Sequence, residues 1–80
     1  MNNIEQALYD YIKDAFRIGD DPDYTADTNL FDNGFVDSLG ALEIISFAEG
    51  TWNIEITQRD LTMYPMNTVS EIAEVISKKL

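Results

Sequence analysis

Apolar side chains recur at spacings of three and four in residues 3–17, where Ile4, Ala7, Leu8, Tyr11, Ile12, Ala15 and Phe16 trace one stripe. That spacing predicts an amphipathic helix with the stripe turned inward. Gly19, followed by Asp20-Asp21-Pro22, is expected to end it. The pattern then breaks as far as Val36. Pro22, Thr25, Thr28, Asn29 and the turn signal Asp32-Asn33-Gly34 mark a long loop, and Leu30-Phe31 is the apolar anchor that would hold it across the helices.

A second helix is expected to start at Asp37 or Ser38. Leu39, Ala41, Leu42, Ile44, Ile45, Phe47 and Ala48 supply more apolar side chains than one stripe needs. Leu42, Ile45, Ala48 or Glu49, and Trp52 share a face at helical spacing, which predicts that face as the inward one and Trp52 as a plug in the core. Leu39 and either Ile44 or Phe47 are then left at the edge beside Ser38. Exposed apolar residues rimmed by Glu43 and Glu49 suit a docking surface, and burial by three neighbouring helices would suit the same residues equally well. Gly50 either costs this helix roughly 1 kcal/mol or ends it early as a left-handed cap.

The last third holds two more helix starts. Thr57 with Asp60 resembles a capping box and opens a short helical turn that Tyr64-Pro65 breaks. Thr68-Val69-Ser70-Glu71 is a full capping-box sequence. Val69, Ile72, Ala73, Ile76 and Leu80 form its inward stripe, and Lys78 and Lys79 complement the negative helix end. Ile54-Glu55-Ile56 alternates like a strand but has no partner, so it is expected to be an extended connector. The prediction is therefore all-α: a small four-helix bundle of three substantial helices and one short one, with a long loop between the first two, forming a single domain over residues 1–80.

Charge and residue usage narrow the chemistry. Fifteen acidic residues against five basic ones give a net charge of −10, which argues against nucleic acid or an anionic membrane as partner. Between Ile18 and Gln58 there is no Lys or Arg, while nine Asp and Glu residues fall in that stretch, Asp37, Glu43 and Glu49 among them. The negative field would steer cationic protein surfaces toward Ser38. The chain has no Cys and no His, so disulfides, thiolate metal sites and the commonest general base are all missing. No catalytic residue is predicted. Asp20, Asp21 and Asp23 fail the spacing of a calcium loop, because no Gly and terminal Glu follow at the required positions, and no metal site is expected. No apolar run reaches the ~20 residues of a membrane span. The start Met-Asn-Asn-Ile-Glu has no basic and apolar leader, and a cytoplasmic monomer is expected.

Asp37-Ser38-Leu39 would place a hydroxyl at a helix N-terminus, where unpartnered N–H groups and the helix dipole favour an attached phosphate. Asp and Ser are also ordinary N-caps, and the tripeptide alone favours that simpler role. Its surroundings change the balance. The run Leu30-Phe31-Asp32-Asn33-Gly34-Phe35-Val36-Asp37-Ser38-Leu39 resembles the prosthetic-group attachment segment of acyl carrier proteins. The likeness extends nearly end to end: the opening helix, the loop with its Leu-Phe anchor, an aromatic at Trp52, the Ile54-Glu55-Ile56 link and Thr68-Val69 at the last helix.

This resemblance implies that a phosphopantetheinyl transferase, using coenzyme A, places 4′-phosphopantetheine on Ser38. The arm's terminal thiol would hold an acyl or aminoacyl group as a thioester, which explains how a chain without Cys or His takes part in acyl chemistry. By matching position, Asp37, Leu39, Leu42, Glu43 and Glu49 would be recognition residues. The implied partners are the transferase, an adenylating enzyme that loads the cargo, and acyltransferases and condensing enzymes with basic docking surfaces. Gly40, Ser46 and Gly50 depart from the carriers of fatty acid synthesis. Gly-Phe-Val-Asp-Ser-Leu with Ile45-Ser46-Phe47-Ala48-Glu49 is more similar to free-standing carriers of polyketide and nonribosomal peptide pathways, the expectation adopted, with D-alanyl and fatty-acid carriers as alternatives. An acidic helical adaptor that carries nothing is the alternative of another class.

Overall fold

Asn2 closes the start of the first helix, its side-chain oxygen accepting the Glu5 N–H at 2.8 Å. In the computed structural model, which describes residues 2–80, four helices follow: α1 (Asn3–Ala15), α2 (Ser38–Trp52), α3 (Gln58–Met63) and α4 (Val69–Lys79). Among the described residues no strand forms, and 54–56 is an extended link. No helix among the described residues is long and apolar enough to cross a membrane.

α1 stops two residues before the expected end. Arg17, not a glycine, takes the left-handed conformation (φ 54°), and the Ile18 and Arg17 N–H groups bond the Lys13 and Asp14 carbonyls at 3.0 and 3.3 Å. This double bond pattern reverses the chain early because Ile18 packs back on the core. Ala15, expected inside, is exposed as a result, and Leu8 and Ile12 are the buried stripe.

The long loop is ordered by its own side chains. Leu30 is fully buried as expected, with Phe31 half-buried beside it. Tyr24 is an anchor the sequence pattern did not reveal. It is 3% exposed, its ring stacks on Tyr9 with centroids 4.4 Å apart, and its hydroxyl donates to the Tyr9 carbonyl at 2.8 Å. Burial, with Tyr9 and Asp10 alongside, pushes the Tyr24 hydroxyl pKa above its ordinary range. The Leu30 and Ser70 N–H groups bond the Asn67 and Ala26 carbonyls, tying the loop to the start of α4.

α1 packs chiefly on α4, and α2 closes the core with a face different from the expected one. Gly40, Ile44 and Ala48 point inward, while Leu42 is 61% exposed. Residues four apart with small or slim side chains let α2 approach closely, and that advantage decides between several apolar faces. Trp52 does not plug the core. It is half-buried, meeting Phe47 edge to face at 5.8 Å, because the helix ends directly after it at left-handed Asn53 (φ 53°). Gly50 lies inside the helix and does not cap it.

The capping sequences at the last two helices differ in detail. Thr57 and Asp60 make both reciprocal bonds. At α4, Thr68 accepts the Glu71 N–H at 3.0 Å, but the Glu71 carboxylate reaches one residue further back to the Asn67 N–H. Leu80 is 65% exposed, since it caps a helix that has run past the edge of the core, and Val75 is buried instead. α3 buries no residue. It is held by Asp60, whose carboxylate accepts Lys79 Nζ at 2.6 Å as well as the Thr57 N–H. The Lys79 bond, followed by the Thr57 N–H, lowers the Asp60 pKa to about 2.

Candidate functional site

Asp37 is the N-cap of α2: extended in backbone, it accepts the Gly40 N–H on its side chain at 2.8 Å. Capping thus falls to Asp37, and Ser38 occupies the first helical position, exposed, with its hydroxyl not needed to close the helix. The Ser38 and Leu39 N–H groups have no acceptor among the described residues. They point along the positive end of the helix dipole, where a phosphodiester is favoured.

The loop delivers its last residues to this turn through Gly34, whose left-handed backbone (φ 75°) only glycine adopts without strain. The Phe35 and Val36 N–H groups both bond the Leu30 carbonyl, so the anchor that fixes the loop also fixes the approach to Ser38. On the inner side, Gly40 meets the end of α1. A Cβ at Gly40 would lie 2.6 Å from a Phe16 ring carbon and 2.9 Å from a Val36 methyl carbon. Only a glycine lets the Phe16 ring seat against the first turn of α2. The sequence marked Gly40 as a departure and gave no hint of this contact; a ring-bearing residue at the end of α1 was the available signal.

Ser38 stands in the wall of an open basin of about 820 Å³, floored by Phe16, Phe31, Phe35 and Val36 and rimmed by Asp37 and Glu43. A second, narrower crevice of about 200 Å³ lies between α2, α3 and α4, lined by Ile44, Ile45, Leu61, Tyr64 and Ile72, and does not include Ser38.

The structure brings Asp37, Leu39, Leu42 and Glu43 together with Ser38. Leu39 and Leu42 are 71% and 61% exposed, Glu43 is exposed as well, and Leu39 and Glu43 both border the basin. Glu49 is set apart. It lies about 16 Å along the helix from Ser38 at 1.5 Å per residue, and its carboxylate accepts the Ile56 N–H at 2.9 Å. The salt bridges of Lys13, Lys78 and Lys79 go to Asp20, Glu74 and Asp60, none of them on α2. In the acidic loop, Asp21 accepts the Asp23 N–H in a turn, and no group of three or more potential metal ligands gathers among the described residues.

Comparison with known proteins agrees with this geometry. The profile of the phosphopantetheine attachment site matches residues 6–76. D-alanyl carrier proteins of Streptococcus pyogenes serotype M5 (strain Manfredo), serotype M49 (strain NZ131) and serotype M1 are each 36% identical to the chain over 52 residues. The match covers 65% of this chain and 66% of each relative, so it spans just under two thirds of their length. No solved structure gives a significant match.

Proposed function

The chain belongs to the phosphopantetheine attachment-site family, and from that premise we propose that Ser38 is the residue that receives the arm and that the carried group is a small aminoacyl or acyl unit held as a thioester. A carrier protein of this family binds 4′-phosphopantetheine, and the first turn of α2 suits that group. An exposed hydroxyl stands beside two open N–H groups, with an adjoining basin and no bulky side chain at Gly40. The observation that carries the assignment is that Asp37, not Ser38, caps the helix and leaves the serine oxygen free to react.

In the transfer, Ser38 Oγ forms a bond to the phosphorus that bears the pantetheine of coenzyme A. The pyrophosphate P–O bond breaks, adenosine 3′,5′-bisphosphate departs, and the serine proton passes to a base of the transferase. The chain itself supplies no catalytic group. Asp37, Leu39, Leu42 and Glu43 form the surface that basic partner enzymes meet, namely the phosphopantetheinyl transferase, an adenylating loading enzyme, and acyltransferases or condensing enzymes. Glu49 contributes to the same negative field from the far end of the helix. We place this carrier unit over residues 1–80 in the cytoplasm, as a monomer.

The D-alanyl carrier relatives favour an aminoacyl cargo. A second reading, service in a polyketide or nonribosomal peptide pathway, is favoured by the Gly34-to-Leu39 run and by Gly40, Ser46 and Gly50. The test has two stages. Incubation with coenzyme A and a broad-specificity transferase should add one arm by intact mass to the wild type and none to Ser38→Ala. An arm on Ser38→Ala overturns the assignment. Adenylating enzymes offered D-alanine or other amino acids then identify the cargo, a D-alanyl thioester favouring the first reading.

A further inference from the structure

Two hollows flank the first half of α2, and only one of them, which has aromatic rings in its lining, contains Ser38 in its wall. The arm begins Ser–O–P–O–CH2–C(CH3)2, so its most apolar part, the carbon bearing two methyl groups, lies one methylene beyond the phosphodiester. It must settle beside Ser38, whatever the distal thiol does. We propose that the arm at rest lies in the basin between the end of α1, the loop and α2, with its two methyl groups on the Phe35 and Phe16 rings. This inference rests on Ser38 being the attachment point.

The floor is built to stay in place. Phe35 meets Tyr24 edge to face at 5.8 Å, and Tyr24 is itself stacked on Tyr9 and bonded to the Tyr9 backbone. Phe16 keeps its position only because Gly40 has no side chain. Both rings are half-buried, so each keeps apolar surface in contact with water that two methyl groups would cover. The crevice between α2, α3 and α4 shares Phe31 with the basin but does not include Ser38 in its wall. An arm in the basin leaves Leu42, which does not line it, uncovered, so a partner can meet α2 there before the arm is lifted away.

The experiment uses the arm-bearing chain made with carbon-13-labelled coenzyme A. The expected result is nuclear Overhauser contacts from the two arm methyls to Phe16 and Phe35 ring protons, with both methyl signals displaced upfield by the rings. Phe35→Leu, checked for an unchanged fold by its amide spectrum, should lose most of the displacement, and Leu61→Ala, in the crevice, should keep it. Methyl signals like those of free pantetheine, or contacts to Ile45, Leu61 or Tyr64, overturn the inference while leaving the attachment assignment intact. A wild-type chain that gains no arm by intact mass overturns both.

Discussion

Glu43 and Glu49 lie on the same helix, in the same cation-free stretch of sequence, and the fold treats them differently. Toward the N-terminal end, Glu43 is exposed, the Ser38 and Leu39 N–H groups are open, and two leucines face outward. Toward the C-terminal end several groups are tied down. Glu49 holds the Ile56 N–H, Asn53 turns the chain, and Thr57, Asp60 and Lys79 fasten α3. One end of α2 is available to other molecules because the other end has taken over the attachment to the rest of the fold. Residue type does not distinguish the two; what folds back onto each does.

That contrast can be broken at several points. Ile44→Ala, between the two ends, should have the largest effect, destabilising the chain by about 2–5 kcal/mol in a denaturant titration, because its side chain is 2% exposed. Leu42→Ala in the same assay should stay within about 0.5 kcal/mol; equal losses would mean that the helix faces are assigned the wrong way round. Glu49→Ala should cost about 1 kcal/mol by leaving the Ile56 N–H without its partner, and should slow arm transfer at low salt far less than a charge reversal at Glu43 does.

The Asp60 latch gives a pH signature. Its folded pKa, about 2, lies below the ordinary 3.8, so its contribution is complete above pH 3.8 and fades as the pH falls toward 2. Thermal melts of Asp60→Asn should lack that component of the acid dependence. The smallest effect on stability, within about 0.5 kcal/mol, belongs to Glu43→Lys. Its consequence should appear in kinetics instead, as slower arm transfer at low ionic strength that converges with the wild type as salt rises. A Glu43→Lys chain modified at the wild-type rate in low salt would remove the functional half of the comparison.

The helix starts were legible in the sequence because capping is local chemistry: Asp37, Thr57 with Asp60, and Thr68 each satisfy N–H groups within a few residues of themselves. The position of Ser38 at the head of α2 follows from the same rule. The inward face of α2 was not legible, since its apolar residues surround the helix and packing against Phe16 and Val36 makes the choice. Tyr24 was hidden because a loop has no period from which to read burial. The role of Glu49 depends on a connector that returns to it from beyond the helix end, a relation no spacing rule encodes. Arg17 was unexpected for a related reason: the tertiary pull on Ile18 overrides the preference for glycine in a left-handed position.

The half-buried Trp52 gives the chain an optical property. It is the sole tryptophan, about 21 Å up the helix axis from Ser38 at 1.5 Å per residue. Its emission should follow unfolding of the C-terminal half of α2 and ignore whether a prosthetic group has been added. With no cysteine in the chain, a dye that reacts with thiols would label the arm alone. Energy transfer from the indole to that dye would then measure where the arm's tip goes, without altering a single residue.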